Sequence, residues 1–327
     1  MLSYLIRRTF VGAITLLLIT FVVYGLVRSM PGTPLTIAET EMDPSKSMNP
    51  EDLKRLEKIY GLDKPWMLGY VDWARNTFVY WELGPSISRK VPVADLIRDR
   101  VPATLTLSVS SLTLIYLLSI PLGLRATVRS GTIEERTVST ILYMLYSMPG
   151  FVAALFLQIL VAVKAGWLPL MGIVSEDYET MSPLGQAWDI TLHALMPVLC
   201  YTYASLAYYS RFIKANMEEV IRQDYIRTAK AKGVSPMRIV LHHAFRNTLI
   251  PLVTMLGLTL PSLLGGAILL EQIFQWPGMG RLFFESLSGR DYPTIMGLTL
   301  MFSVLTLAGQ LLADVLYAFV DPRVSYS

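Results

Sequence analysis

The chain has 327 residues, of which 53% are hydrophobic and only 16% charged, and its mean hydropathy is +0.47. A soluble domain of this length carries about 25% charged residues, so the composition excludes an ordinary water-soluble protein and indicates a protein of the lipid bilayer. The net charge of +3 is spread among the segments between apolar runs, which argues against nucleic-acid binding.

The apolar residues fall into six blocks. Each block is long enough to cross a hydrocarbon core about 30 Å thick as a helix. Backbone groups in lipid must satisfy one another within the segment, so each block is predicted to be helical. We therefore predict an all-α polytopic membrane protein with six transmembrane helices. The blocks are residues 9–27, 103–124, 138–163, 192–209, 247–270 and 295–320.

The first block follows two arginines, as a secretory signal does. Its apolar run is too long for a signal, and no small-x-small cleavage site follows it, so residues 1–30 are predicted to be a retained transmembrane helix. The next stretch, 31–101, is too long for a connector. It contains "NPEDLKRLEKIYGL", an amphipathic helix pattern with Asn49 as its N-cap. We predict a small external subdomain there, followed by a core domain of five helices over 102–327.

Hydroxyl side chains lie within two of the blocks. In the second block Thr106, Ser110 and Thr113 share one face and Thr104, Ser108 and Ser111 another, and we interpret both sets as helix–helix packing residues. In the fourth block Tyr201, Ser205 and Tyr208 recur at i, i+4 and i+7. Tyrosine hydroxyls suit a wet cavity, so these three are predicted to line a translocation path. Packing remains the alternative for the fourth block, and a path remains the alternative for the second.

The charges between blocks predict the orientation, because short cytoplasmic loops are rich in Lys and Arg. Residues 211–246 carry eight basic and three acidic side chains, whereas residues 164–191 carry one basic and four acidic ones. The N-terminus, the 125–136 loop, the 211–246 loop and the C-terminus are therefore predicted to be cytoplasmic. The chain is expected to be a multi-pass protein of the cell membrane, or inner membrane.

The most basic loop contains a turn pattern between two helical patterns. "DYIRTAKAKG" is typical of a short helix, and Gly233 suits the left-handed conformation that ends helices. Ser235 is a good N-cap, and Pro236 is tolerated at the first helical position. The sequence predicts a helix–turn–helix elbow that projects into the cytoplasm.

This elbow resembles the EAA loop of ABC-importer permeases in the dipeptide, oligopeptide and nickel branch, whose form is DYxRTAxAKG…HxxRNxxxP. The chain has "DYIRTAKAKG" and "HAFRNTLIP". "VPVADLIRDRVPATLTLS" at the second block and "FQWPGMGRLFFESLSGRDYPTIMG" before the sixth also resemble that family, in particular its first permease subunit. The glutamate of the general EAA motif is absent.

The resemblance implies a type I importer architecture. This chain would form half of a path for di- or oligopeptides beside a second homologous permease subunit, in a heterodimer. Two cytoplasmic ATPases would use ATP and Mg²⁺, and an external substrate-binding protein would deliver the peptide. The chain lacks a G-x-x-x-x-G-K-[ST] loop, so we expect no ATPase site, no cofactor and no metal of its own.

The resemblance also assigns roles to residues. Coupling to the ATPases is expected in the EAA-like loop 222–251, with Tyr225, Ile226 and Ala229 supplying the docked apolar face. The coupling residues carried over are Asp224, Tyr225, Arg227, Thr228, Ala229, Lys232, Gly233, Ser235 and Pro236. The last external loop is a weaker docking candidate for the binding protein, through Arg290, Asp291 and Tyr292.

Two other classes are weighed against this interpretation. An ion-coupled secondary transporter would need coupling residues within the spans and inverted repeats. A membrane-embedded enzyme would need a catalytic set such as H-E-x-x-H or paired aspartates at depth. Neither pattern is evident in the sequence. The motifs leave the cargo open among dipeptides, longer peptides, nickel complexes and oligosaccharides.

Overall fold

The computed structural model describes residues 2–31, 55, 57–58, 61, 63–259 and 263–320. The predicted helix capped by Asn49 lies outside the described residues. The helices are α1 (Leu2–Arg28), α2 (Trp66–Val79), α3 (Val93–Val128), α4 (Ile133–Ser147), α5 (Gly150–Leu157), α6 (Pro183–Ile221), α7 (Asp224–Ala231), α8 (Phe245–Thr259), α9 (Ile268–Ile273), α10 (Met279–Ser288) and α11 (Tyr292–Val320). No strand occurs in these ranges, and a single antiparallel bridge joins Pro85 to Pro92.

Four helices, α1, α3, α6 and α11, are long and apolar enough to cross a membrane. Two bent pairs also qualify if each pair counts as one span, which gives six. The predicted all-α fold is confirmed, and the six-span count is consistent with it. α3 begins at Val93, so the domain boundary predicted at residue 102 falls inside a helix.

The third block is a broken span rather than one helix. α4 ends at Ser147, and α5 begins at Gly150 after a bend of 93°. Met148 adopts an extended conformation with φ −83° and ψ 123°. The residue before a proline is pushed out of the helical region by the ring, so Pro149 accounts for the break.

The fifth block is also interrupted. α8 ends at Thr259, and the next regular helix, α9, begins only at Ile268. Gly266 between them has φ +66°, a conformation that glycine adopts without strain. The prediction of one continuous helix over 247–270 is therefore wrong, because an apolar composition does not report the direction of the chain.

The core of the bundle is the pair α3 and α6, which make the most extensive helix contact among the described residues. Thr104, Ser108 and Ser111 of α3 are buried, as expected of packing residues, whereas Ser110 and Thr113 of the other predicted face are exposed. At Gly123 the two backbones approach so closely that a Cβ atom would lie 2.7 Å from the Cβ of Ile213. Small residues at this interface therefore fix the distance between the two longest helices.

The remaining helices surround this pair. α4 and α5 pack against α6, α8 packs between α6 and α11, and α1 packs along α11 at the periphery. α2 crosses the end of α1 through aromatic contacts, such as Trp66 and Tyr70 against Phe21, each with ring centroids 5.2 Å apart. Near α2, a hydrogen bond from Lys64 to Asp72 raises the pKa of the lysine ammonium.

Candidate functional site

The elbow has the helix–turn–helix geometry that its sequence predicts. The amide of Gly233 donates to Lys230 O at 3.0 Å, and that of Val234 to Ala229 O at 3.2 Å, which closes α7. Gly233 has φ +75°. A Cβ atom there would meet nothing within 4 Å, so the requirement for glycine is conformational and not steric crowding. The chain re-enters a helix at Pro236.

The exposed side of α7 and of the turn after it is mostly polar and carries three cations. The exposed residues between positions 224 and 235 are Asp224, Tyr225, Arg227, Thr228, Lys230, Ala231, Lys232, Gly233 and Ser235. Arg227 approaches Asp224 at 3.4 Å, but both side chains are largely in solvent, so this ion pair adds little stability. The hydroxyl of Thr228 donates back to Asp224 O at 3.0 Å. Most of the cationic groups therefore remain available to a partner.

The apolar side of the elbow packs against the chain itself. Ile226 is fully buried and Ala229 is 7% exposed. They belong to one buried cluster, whose other members are Ile213, Met217, Ile239, Val240, Ala244 and Leu252. The expectation that Ile226 and Ala229 dock on an ATPase is thus corrected: they join the elbow to the end of α6. Tyr225 stays 44% exposed, and its hydroxyl accepts from Asn247 Nδ2 at 2.9 Å.

A charge network beside the elbow was not anticipated from the sequence. Lys214 on α6 lies 3.0 Å from Glu135 and 3.6 Å from Glu218. Ser130 donates to Glu218 at 3.1 Å. The loop between α3 and α4 is therefore tied to the end of α6. The i, i+4 spacing of Lys214 and Glu218 was the available signal, although it does not identify Glu135.

The predicted path residues differ in exposure along α6. Tyr201 packs beside the buried Trp276, and its buried hydroxyl lies within electrostatic range of Glu271. Ser205 is partly buried, and Tyr208 is 55% exposed. The structure therefore covers one end of this stripe and leaves the other end open, while its role in transport stays a prediction.

The cover over Tyr201 is the segment 263–281, called here the outer segment. Its Glu271 is fully buried and accepts from Arg281 N at 2.9 Å and from Thr104 Oγ1 at 3.3 Å. Trp276 Nε1 donates to Ala103 O at 2.8 Å. Both contacts fix the outer segment to the start of α3. Sequence reasoning missed Glu271, although its position among four glycines was a signal of close packing.

The loop between α10 and α11 is anchored by buried side chains. Asp291 is 1% exposed and accepts from Ser88 Oγ at 2.8 Å and from Ile87 N at 3.1 Å, and also from the hydroxyl of Ser86. Tyr292 is also buried. Of the three predicted docking residues only Arg290 reaches the surface, so any docking by this loop falls to Arg290 and its exposed neighbours.

Comparisons with known proteins agree with this architecture. The family described as binding-protein-dependent transport system inner membrane component matches residues 119–326, and its N-terminal counterpart matches residues 1–108. The chain belongs to this family. It is therefore an inner-membrane permease component with several membrane spans, as the sequence predicts, and the ion-coupled alternative gains no support.

Individual relatives of this permease cover its whole length. The oligopeptide transport system permease protein AppB of Bacillus subtilis strain 168 is 38% identical over 327 residues, which is 100% of each chain. The dipeptide transport system permease protein DppB of Escherichia coli K12 is 34% identical over 342 residues, covering 100% of this chain and 99% of that protein. The di/tripeptide permease protein DppB of Pseudomonas aeruginosa UCBPP-PA14 is 33% identical, with the same coverage.

A solved structure of the MetNI methionine ABC transporter in an inward-facing conformation shares the fold of the permease. Its matched chain gives a TM-score of 0.52 at 22% identity, with 69% of this chain and 96% of that chain covered. At this identity the likeness establishes the fold alone. The part that both chains share is consistent with the ABC importer permease architecture predicted from the elbow motif.

Proposed function

We propose that this permease forms half of the translocation path of an importer for di- or oligopeptides. Three relatives that align over its whole length are named for oligopeptides, dipeptides and di- or tripeptides. In the stripe of Tyr201, Ser205 and Tyr208 along α6, the open Tyr208 and the partly buried Ser205 offer hydroxyl groups to peptide backbones, while the Tyr201 hydroxyl is buried at the covered end. The other half of the path is a second homologous permease subunit, because the permease presents a stripe that is open on one side.

Coupling to two cytoplasmic ATPases is assigned to the elbow. The single observation that carries this proposal is its division into two sides: an apolar side anchored on α6 and α8, and an exposed side rich in cations. An element anchored in this way transmits a push on its exposed side into the bundle. The coupling contacts are assigned to Asp224, Tyr225, Arg227, Thr228, Lys232 and Ser235, while Ala229, Gly233 and Pro236 shape the elbow.

The topology and partners follow from the same assignment. The elbow and both termini lie in the cytoplasm, and an external substrate-binding protein docks on the opposite side, where Arg290 is partly exposed. ATP and Mg²⁺ are used by the ATPase subunits, and the permease itself binds no cofactor and has no ATPase activity. An importer built from the permease alone is therefore inactive.

Site-directed cross-linking in the reconstituted importer tests the coupling proposal. A cysteine at Arg227, on the exposed side of α7, is expected to cross-link to an ATPase subunit. A cysteine at Ile226, the buried neighbour, is the matched control and is expected not to react. The native Cys200 is buried, so it does not interfere. Cross-linking of Arg227→Cys to an external protein, or to no ATPase, would overturn the proposal.

A transport assay tests the substrate. The permease, the second permease subunit and the ATPases are reconstituted in proteoliposomes, with the binding protein on the outer side. We expect uptake of labelled di- and tripeptides that stops when ATP is omitted or when one component is left out. Peptide uptake driven by an ion gradient without ATP would contradict the proposed function.

A further inference from the structure

The exposed face of α6 changes sides along the helix. In the half that begins at Pro183, the exposed large residues are apolar: Leu184, Trp188, Leu195 and Leu199. In the other half, they are Tyr208, Arg211 and Glu219. Leu195 and Arg211 are 16 positions apart, which at 100° per residue puts them about 160° apart around the axis. The first face suits lipid, and the second face is polar.

The polar face follows the covered end of the stripe of Tyr201, Ser205 and Tyr208, in the direction of the C-terminal end of α6. Tyr201 and Tyr208 are two turns apart and share a side of α6. At Tyr201 this side is covered by the outer segment, with Trp276 and Glu271 next to the ring. At Tyr208 it is open. This side of α6 is therefore covered at its Tyr201 end and open at the end where Arg211 lies.

Arg211 is held in this opening by an aromatic ring. Its guanidinium carbon lies 5.0 Å from the ring centroid of Tyr143 on α4. Within the described parts of the chain, no carboxylate oxygen lies within 4.0 Å of Arg211. One turn further along, Lys214 is paired with both Glu135 and Glu218. The permease therefore neutralises one cation of this face and leaves the charge of its neighbour uncompensated.

The geometry of the pair defines the ligand chemistry. A guanidinium stacked on a ring uses its π-face there and keeps the N–H groups at its edges for planar oxyanions, which it binds in a bidentate manner. Arg211 lies two positions beyond the apolar block that ends at residue 209, and it is exposed, so these N–H groups are accessible from water. Arg211 thus fits a carboxylate or a phosphate.

We propose that Arg211, positioned by Tyr143, is a specificity-determining residue that binds the C-terminal carboxylate of the transported peptide near the cytoplasmic mouth of the path. This inference rests on the proposed function and identifies one end of the substrate. A phospholipid phosphate offers the same chemistry from a different source, and the experiment below separates the two.

The test compares a tripeptide with its C-terminal amide in the complete reconstituted importer. The measured quantity is the ratio of uptake of the free-carboxylate peptide to uptake of the amide. Because every permease variant is assayed with the same binding protein, any preference of that protein contributes equally to each ratio. Arg211→Gln is expected to lower this ratio by about tenfold, the effect of one charge-assisted hydrogen bond. Arg211→Lys, which keeps the charge, is expected to retain much of the ratio.

Matched variants control for folding and for charge. Arg136→Gln removes an exposed cation from α4 and is expected to leave the ratio unchanged. Tyr143→Phe keeps the ring and is expected to resemble the wild type, whereas Tyr143→Leu is expected to lower the ratio in the same direction as Arg211→Gln. An Arg211→Gln importer that takes up both peptides with the wild-type ratio would overturn the inference.

A comparison of lipid compositions tests whether the ligand of Arg211 is a phospholipid phosphate. Uptake is measured in vesicles of phosphatidylcholine alone and in vesicles that also contain phosphatidylglycerol. If the Arg211→Gln effect is equal for both peptides and appears only with phosphatidylglycerol, the ligand is a lipid phosphate and the inference is wrong. A wild-type importer that takes up neither peptide with ATP would instead overturn the proposed function, and this inference with it.

Discussion

Ser88 donates its hydroxyl hydrogen to Asp291 Oδ2 at 2.8 Å, across 203 positions of the chain. The same carboxylate accepts from the amide of Ile87 and the hydroxyl of Ser86. A buried carboxylate needs such donors to replace water. These contacts fasten the loop between α2 and α3 to the start of α11, so one residue joins two segments that are far apart in the chain.

Replacement of Asp291 by alanine is expected to lower the free energy of unfolding by about 2–4 kcal/mol, because three donors, two of them on buried residues, lose their acceptor. Thermal unfolding of the purified permease in detergent measures this. Arg290→Ala is the matched control, since its side chain lies partly at the surface, and is expected to change stability by less than about 0.5 kcal/mol. A wild-type unfolding temperature for Asp291→Ala would contradict this account.

Substitutions of Gly233 test whether its left-handed backbone conformation is needed for coupling. Its φ of +75° is accessible to asparagine but strongly disfavoured for a β-branched residue, and the surrounding space is open. We expect Gly233→Asn to retain most ATP-driven peptide uptake and Gly233→Val to abolish it, with both proteins present in the membrane at normal levels. Immunoblotting of the membrane fraction measures the level of each protein. Normal uptake by Gly233→Val would show that the turn is not needed for coupling.

Ile226 tests the anchor of the elbow. Truncation to alanine leaves a cavity in a fully buried cluster and is expected to cost about 2–4 kcal/mol locally. A loosened elbow still meets the ATPases but transmits less motion, so peptide uptake per ATP hydrolysed is expected to fall. Ile133→Ala, the same truncation at a side chain that is 83% exposed, is the control and is expected to keep this ratio. An unchanged ratio for Ile226→Ala would disprove the anchoring role.

Gly123 tests the contact between α3 and α6. A methyl group there would lie 2.7 Å from Ile213 Cβ and 3.0 Å from Ser210 O. Gly123→Ala is therefore expected to destabilise the permease by about 1–3 kcal/mol through overpacking. Gly150→Ala is the control, because its new methyl group would meet only Tyr203 Oη, at 3.9 Å. The thermal unfolding midpoints of the two variants give the comparison, and equal midpoints would rule out the close contact.

Hydropathy predicted the four continuous spans because a bilayer imposes one simple requirement, a long apolar run. It underestimated α6, which continues to Ile221, well beyond the predicted end at residue 209. Outside the lipid a helix needs no apolar residues, and pairs such as Lys214 and Glu218 stabilise it. Composition likewise does not predict the bend at Pro149, because the chain changes direction there while its residues remain apolar.

The elbow was predictable for a different reason. Gly233, Ser235 and Pro236 are local signals, since each acts on the backbone within a turn of its own position. The burial of Ile226 and Ala229 was not predictable, because an apolar stripe does not identify its partner. The same limit applies to Asp291: its donors lie about 200 positions away, and only the folded chain brings them together.

The length of α6 has a mechanical consequence. Its 39 residues span about 58 Å, nearly twice the hydrocarbon core, with Pro197 inside. If the rod tilts by about 10° around Pro197, Ile221 beside the elbow swings by roughly 6 Å, whereas Tyr201 under the outer segment shifts by only about 1 Å. The helix is then a reducing lever: a long, weak stroke at the Ile221 end becomes a short, forceful one at the covered end of the stripe.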